Sequence, residues 1–161
     1  MTGSIWLVLA IGTVCILIAA SALVLRRQFA VITVDGLSMV PALDHGDRLL
    51  VARRSAARIQ AGQIVLVERP DPHTGWRTTG RRPSRLQSSA WYVKRAVAVG
   101  GDPVAPELAA RCTANLGTQV PNGHLMLIGD NARSDDSKQW GPCPDALLFG
   151  VVIRKMSARA E

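Results

Sequence analysis

From Ile5 to Leu25 the chain carries no charged residue, and no other stretch constrains its fold as much. At about 1.5 Å per residue, a helix over this span is roughly 30 Å long, enough to cross the hydrocarbon core of a bilayer. Ala19-Ala20-Ser21-Ala22 looks like the small-residue cleavage site of a secretion signal. Against cleavage, no basic segment precedes the run, which is also longer than a typical signal core. The reading adopted is a retained membrane anchor over residues 1–28, with the spanning helix at about 5–25. The remainder of the 161-residue chain is long enough to bury a core of its own.

The net charge of +7 and pI near 10.4 raise nucleic acid as a partner. Aromatic residues, however, make up only 4% of the chain, too few for a base-stacking platform. The arginines are dispersed apart from Arg77, Arg81, Arg82 and Arg85. Beside an anchor, attraction to anionic headgroups explains the charge more simply, so a lipid bilayer is the expected partner and nucleic acid is not. Arg26-Arg27 directly after the spanning run favours a cytoplasmic domain by the positive-inside rule. Cys15 reads as a small apolar residue of the anchor, while Cys112 and Cys143 could pair only in an extracytoplasmic domain. His45, His73 and His124 are isolated, and no Cys/His spacing suggests a metal.

Beyond residue 28 the patterning is mainly β. Ala30–Val34, Arg48–Ala52, Gln63–Val67, Trp91–Val99, Leu125–Ile128 and Leu147–Ile153 read as strands separated by Gly- and Pro-containing turns. Arg69–Ser89 reads as a long polar loop, and no stretch shows helical periodicity over three turns. The predicted organisation is an anchor (1–28), a β-rich domain (29–154) and a charged tail without structure (155–161).

Ser38 is the candidate nucleophile. It lies in Gly36-Leu37-Ser38-Met39-Val40-Pro41, between a flexible glycine and a φ-locked proline at a strand end. By itself this is an ordinary turn serine, because a serine hydroxyl attacks only with a base beside it. No histidine stands in a recognisable triad setting, which leaves lysine, usable if desolvation frees its neutral amine. Lys155 sits in a basic tail and Lys138 follows two aspartates. Lys94 alone lies inside an apolar strand, on the face that alternation assigns to Tyr92, Ala96 and Ala98.

Taken in order, Gly36–Pro41, Gly46-Asp47, Val93-Lys94-Arg95 with Gly101-Asp102, and Gly129-Asp130-Asn131 through Asp136-Ser137-Lys138 to Gly141 resemble the motifs of type I signal peptidases. These are membrane-anchored Ser-Lys endopeptidases, and the resemblance runs from the anchor to Ile153. It implies Ser38 as nucleophile and oxyanion donor through its N–H, Lys94 as general base, and Ser134 as the hydroxyl that orients the lysine. Asp130 and Asp136 would brace the last loop with Asn131, and Asp136 would pair with Lys138. That lysine stands where the family usually has arginine, so the brace loses bidentate geometry. The loop is also one residue shorter than the commonest form, and Gly36 replaces a serine that supplies a second oxyanion donor in some relatives. Gly36, Met39, Pro41 and Tyr92 are the expected substrate contacts, Met39 being equally a core residue.

The resemblance implies removal of leader peptides with Ala-x-Ala-type sites from exported precursors, without a cofactor or metal, by a single-pass protein whose catalytic domain lies on the extracytoplasmic side. It conflicts with Arg26-Arg27 on the orientation. A dedicated maturation protease for one exported or secondary-metabolite precursor is the alternative within the same chemistry. A self-cleaving repressor-type protease fits poorly with an anchor and no DNA-binding region. A catalytically inactive membrane-anchored binding module is the alternative outside it.

Overall fold

In the computed structural model the described residues are 2–71, 73–76, 90–113 and 117–156. The anchor sequence forms one helix, α1 (Thr2–Gln28), which passes directly into strand β1 (Phe29–Thr33). Its stretch Ile11–Gln28 has a mean hydropathy of 1.5 and no buried residue, so α1 projects from the domain and is long and apolar enough to cross a membrane.

The domain is mainly β. Strands β2 (Arg48–Arg53), β3 (Ile64–Glu68), β4 (Trp91–Val99), β5 (His124–Ile128), β6 (Cys143–Pro144) and β7 (Leu148–Met156) join β1 in one antiparallel sheet. The order is β1-β2-β7-β3-β4-β5-β6, which leaves β1 at an edge. Two single-turn helices, α2 (Pro106–Ala109) and α3 (Ser137–Trp140), interrupt the later loops.

Strand β3 shows why the sheet curls. Its run Ile-Val-Leu-Val is apolar on both faces, and both are covered. Val65 and Val67 pack with Ala96, Leu125, Leu127 and Val151, whereas Leu66 packs with Val34, Met39, Leu49 and Val51 on the other side. A strand clothed on both faces needs no polar alternation. Truncating Leu66, which is fully buried, to alanine costs roughly 2–5 kcal/mol by analogy with other buried leucines. Register shifts at Leu50/Val51, Leu66/Val67 and Ala96/Ala98 add local twist. At Gly150 a side chain would strike the backbone of Ala52, so this crossing requires glycine.

Three expectations change here. The last strand runs to Met156 because Lys155 pairs with Leu49 and its ammonium meets Asp47 at 2.6 Å, so residues 155 and 156 belong to the sheet; the tail's 157–161 lie outside the described residues. Cys112 and Cys143 are free thiols in separate clusters. Ala98 leaves the neighbourhood of Lys94, because the shift after Ala96 sends it to a third cluster with Met126. Of the long polar loop, residues 72 and 77–89, with the cluster Arg77, Arg81, Arg82 and Arg85, lie outside the described residues. Asp71 and Gly75 are joined by a pair of backbone hydrogen bonds, and Trp76 donates its indole N–H to the Gly141 carbonyl at 3.0 Å.

Candidate active site

Strands β1 and β4 are not neighbours in the sheet, yet the curl sets them across one cleft of about 760 Å³. Val31–Thr33 of β1 with Val34 after it form one wall and Trp91–Lys94 of β4 the other. Gly36 and Ser38 lie at one end, with Asn131, Ser134 and Asp135 beside them. Thus Ser38, Lys94 and Ser134, far apart in the chain, line the same space.

The nucleophile turn is held from behind. Gly36 adopts φ 106°, a conformation that disfavours a side chain, and its N–H reaches Nδ1 of His45 at 3.2 Å. Asn131 clasps the turn with two bonds: its backbone N–H donates to the Ser38 carbonyl and its side-chain Nδ2 to the Leu37 carbonyl, both at 3.0 Å. The Ser38 N–H itself has no acceptor among the described residues. It is therefore free to bind an incoming oxyanion.

Gly129 fixes the separation between this turn and the lysine's support. A methyl group built there would overlap the Ser134 side chain and come within 2.5 Å of the Ser38 carbonyl. Glycine is required at 129 for space.

Lys94 is 2% exposed, and its Nζ donates to Ser134 Oγ at 2.6 Å. Among the described residues no carboxylate lies in ion-pair range of it. Desolvation lowers its pKa to about 8; Asp136 and Asp135 oppose the shift, and Lys138 adds to it. The Tyr92 ring, 4.8 Å from Nζ, also favours the ammonium but leaves the shift downward. The amine can therefore lose its proton near neutral pH.

Asp136 organises the loop that carries Ser134. Its buried carboxylate accepts from the backbone N–H groups of Gly129 and Lys138, and meets Lys138 Nζ at 2.8 Å. It also caps α3 in a reciprocal box with Gln139. Lysine thus satisfies Asp136 through one ammonium and one backbone donor.

Asp130 turns the other way. It takes a two-pronged hydrogen bond from Arg95, at 2.8 and 2.6 Å, while Arg95 also donates to the Gly62 carbonyl. Since Asn131 follows Asp130, the residue after Lys94 is tied through two neighbours to the turn of Ser38. Arg95 was missing from the site expected from sequence; its position next to Lys94 and its planar fork of donors were the available signals.

Two expected substrate contacts fall elsewhere. Met39 is 1% exposed and packs in the core behind the turn with Leu43 and Leu49, because the turn points its apolar residue inward. Pro41 is exposed and lies outside the cleft lining. Gly36 and Tyr92 do line the cleft, whereas Ala96 and Ala98 do not.

A curled antiparallel sheet with a serine and a desolvated lysine in one cleft is an arrangement suited to Ser-Lys hydrolysis. The family model "Signal peptidase, peptidase S26" matches residues 5–113 and 106–156, nearly the whole described chain. The chain belongs to this signal peptidase family, a family of peptidases. No curated protein matches it.

Proposed function

We propose that this is a membrane-anchored serine endopeptidase that removes leader peptides from exported precursors, with Ser38 as nucleophile and Lys94 as general base. The observation that carries the reading is the state of Lys94: buried, without a carboxylate partner among the described residues, oriented by Ser134 and open to the cleft that holds Ser38. Neutral Lys94 takes the proton from Ser38 Oγ as that oxygen attacks the scissile carbonyl. The Ser38 N–H stabilises the oxyanion. Lys94 then gives the proton to the leaving amine, and water activated by the same amine hydrolyses the acyl-enzyme.

The precursor would lie extended in the cleft against the free edge of β1, gaining main-chain hydrogen bonds while shallow pockets select small residues of an Ala-x-Ala-type site. In this reading α1 spans the bilayer and the domain stands on the extracytoplasmic side, where export delivers the cleavage sites. The filled hydrogen-bonding of Asp136 with Lys138 supports an active enzyme over an inactive relative. The test is cleavage of a reporter preprotein with an Ala-x-Ala site in detergent micelles, for wild type beside Ser38→Ala and Lys94→Ala. Cleavage by wild type alone is expected; undiminished cleavage by Lys94→Ala would falsify the assignment of the base.

A further inference from the structure

Five arginines gather at one end of the sheet. Arg26 and Arg27 close α1, and Phe29, directly after, pairs with Ala52. That register sets Arg53 and Arg54, at the end of β2, beside the point where α1 leaves the domain. Arg53 pairs with Gly150 near the start of β7. Arg69 follows β3, whose last residue Glu68 pairs with Trp91 at the start of β4. The same end of the sheet thus receives all five.

All five are exposed. Arg26, Arg27, Arg53 and Arg54 have no carboxylate partner among the described residues. Arg53 lies over the Phe149 ring at 4.2 Å, and Arg69 over the Tyr92 ring at 5.2 Å. Such stacking orients a guanidinium while leaving its N–H donors unused. Of the carboxylates at this end, Glu68 is half-buried, and burial pushes its carboxyl upward, while Asp71, two residues after Arg69, accepts from the backbone N–H groups of His73 and Thr74. Asp35, Asp44 and Asp47 all lie in the β1–β2 turn at the opposite end. Like charges held together repel one another unless an anion lies among them. The apolar helix leaves from the β1 edge of this group.

We propose that this end of the sheet is a docking collar for anionic phospholipid, its arginines binding headgroup phosphates beside the exit of α1. The inference rests on the reading of α1 as a membrane anchor. It assigns part of the excess positive charge to a place and a partner. The collar also borders the cleft, since Arg69 stacks on Tyr92 of the β4 wall, so lipid binding presents that end of the cleft at the headgroup layer.

Arginine footprinting with phenylglyoxal, read residue by residue by mass spectrometry, tests this without relying on proteolysis. The full chain is reconstituted in phosphatidylcholine vesicles and in vesicles enriched in phosphatidylglycerol. On the anionic vesicles Arg53, Arg54 and Arg69 should react several-fold more slowly and Arg133 and Arg154 at unchanged rates, with high salt removing the difference. Equal rates on both vesicles, for a chain that floats with them, overturn the collar and leave the anchor standing. Equal protection by inorganic phosphate on neutral vesicles overturns the assignment to lipid. A chain that floats with neither vesicle overturns the anchor and the collar together.

Discussion

Lys94 is where burial and charge oppose each other most directly. Its folded pKa, about 8, lies below the ordinary lysine value because the ammonium is desolvated. If its neutral form is the base, kcat/KM on the reporter should rise with pH through about 8; a flat profile from pH 6 to about 9 would remove it from that role. The sign for stability is the reverse of the usual lysine pair. The fold disfavours the ammonium, so the cost is fully present below the folded pKa and fades as pH rises towards the unfolded one. Lys94→Met should therefore abolish cleavage yet gain about 1–2 kcal/mol at neutral pH by urea denaturation, less than the full shift implies because Ser134 loses its donor. Ser134→Ala keeps the lysine but removes its orienting partner. It should lower kcat by about 10–10²-fold with little change in KM, consistent with loss of a group that positions the base. At Gly129 an added methyl group has nowhere to go, and Gly129→Ala should cost about 1–3 kcal/mol from overpacking as well as activity.

Among the elements, the strands were the most legible. The apolar runs of β3, β4 and β7 and the Gly/Pro turns between them mark a β domain, and all six predicted strands occur with ends shifted by a residue or a few. The ordered motifs also pointed to Ser38, Lys94 and Ser134, which line one cleft. Sequence could not reveal what depends on the curl. The bond between Arg95 and Asp130 joins β4 to a loop 35 residues away, and Asn131 reaches Leu37 across 94. Met39 was ambiguous for a local reason: an apolar residue in a turn faces cleft or core according to a rotation that the sequence does not encode. The loop after β5 makes its own prediction. Asp136 accepts one side-chain donor from Lys138 where an arginine could offer a fork, so Lys138→Arg should preserve the fold and cleavage, whereas Lys138→Met, which leaves a buried carboxylate short of a donor, should lower the melting temperature and cleavage together.

As a whole, the molecule divides between an exposed helix and a self-contained sheet. No residue of the stretch Ile11–Gln28 is buried, so removing residues 1–28 should leave a cooperatively folding β domain with unchanged far-UV strand signal. Loss of that transition would show that α1 is needed for folding. The helix matters in another way, because α1 enters β1 without a loop and β1 leads straight to the turn of Ser38. Five extended residues at about 3.3 Å each make a spacer of roughly 17 Å. With α1 in a bilayer, β1 is a ruler that sets the height of the cutting atom above the hydrocarbon. Since β1 is locked to β2 by register and neighbouring residues face opposite ways, the ruler can be lengthened only in steps of two residues. A one-residue insertion would turn its cleft-facing side chains away, so the reach of the enzyme is graduated in units of the pleat.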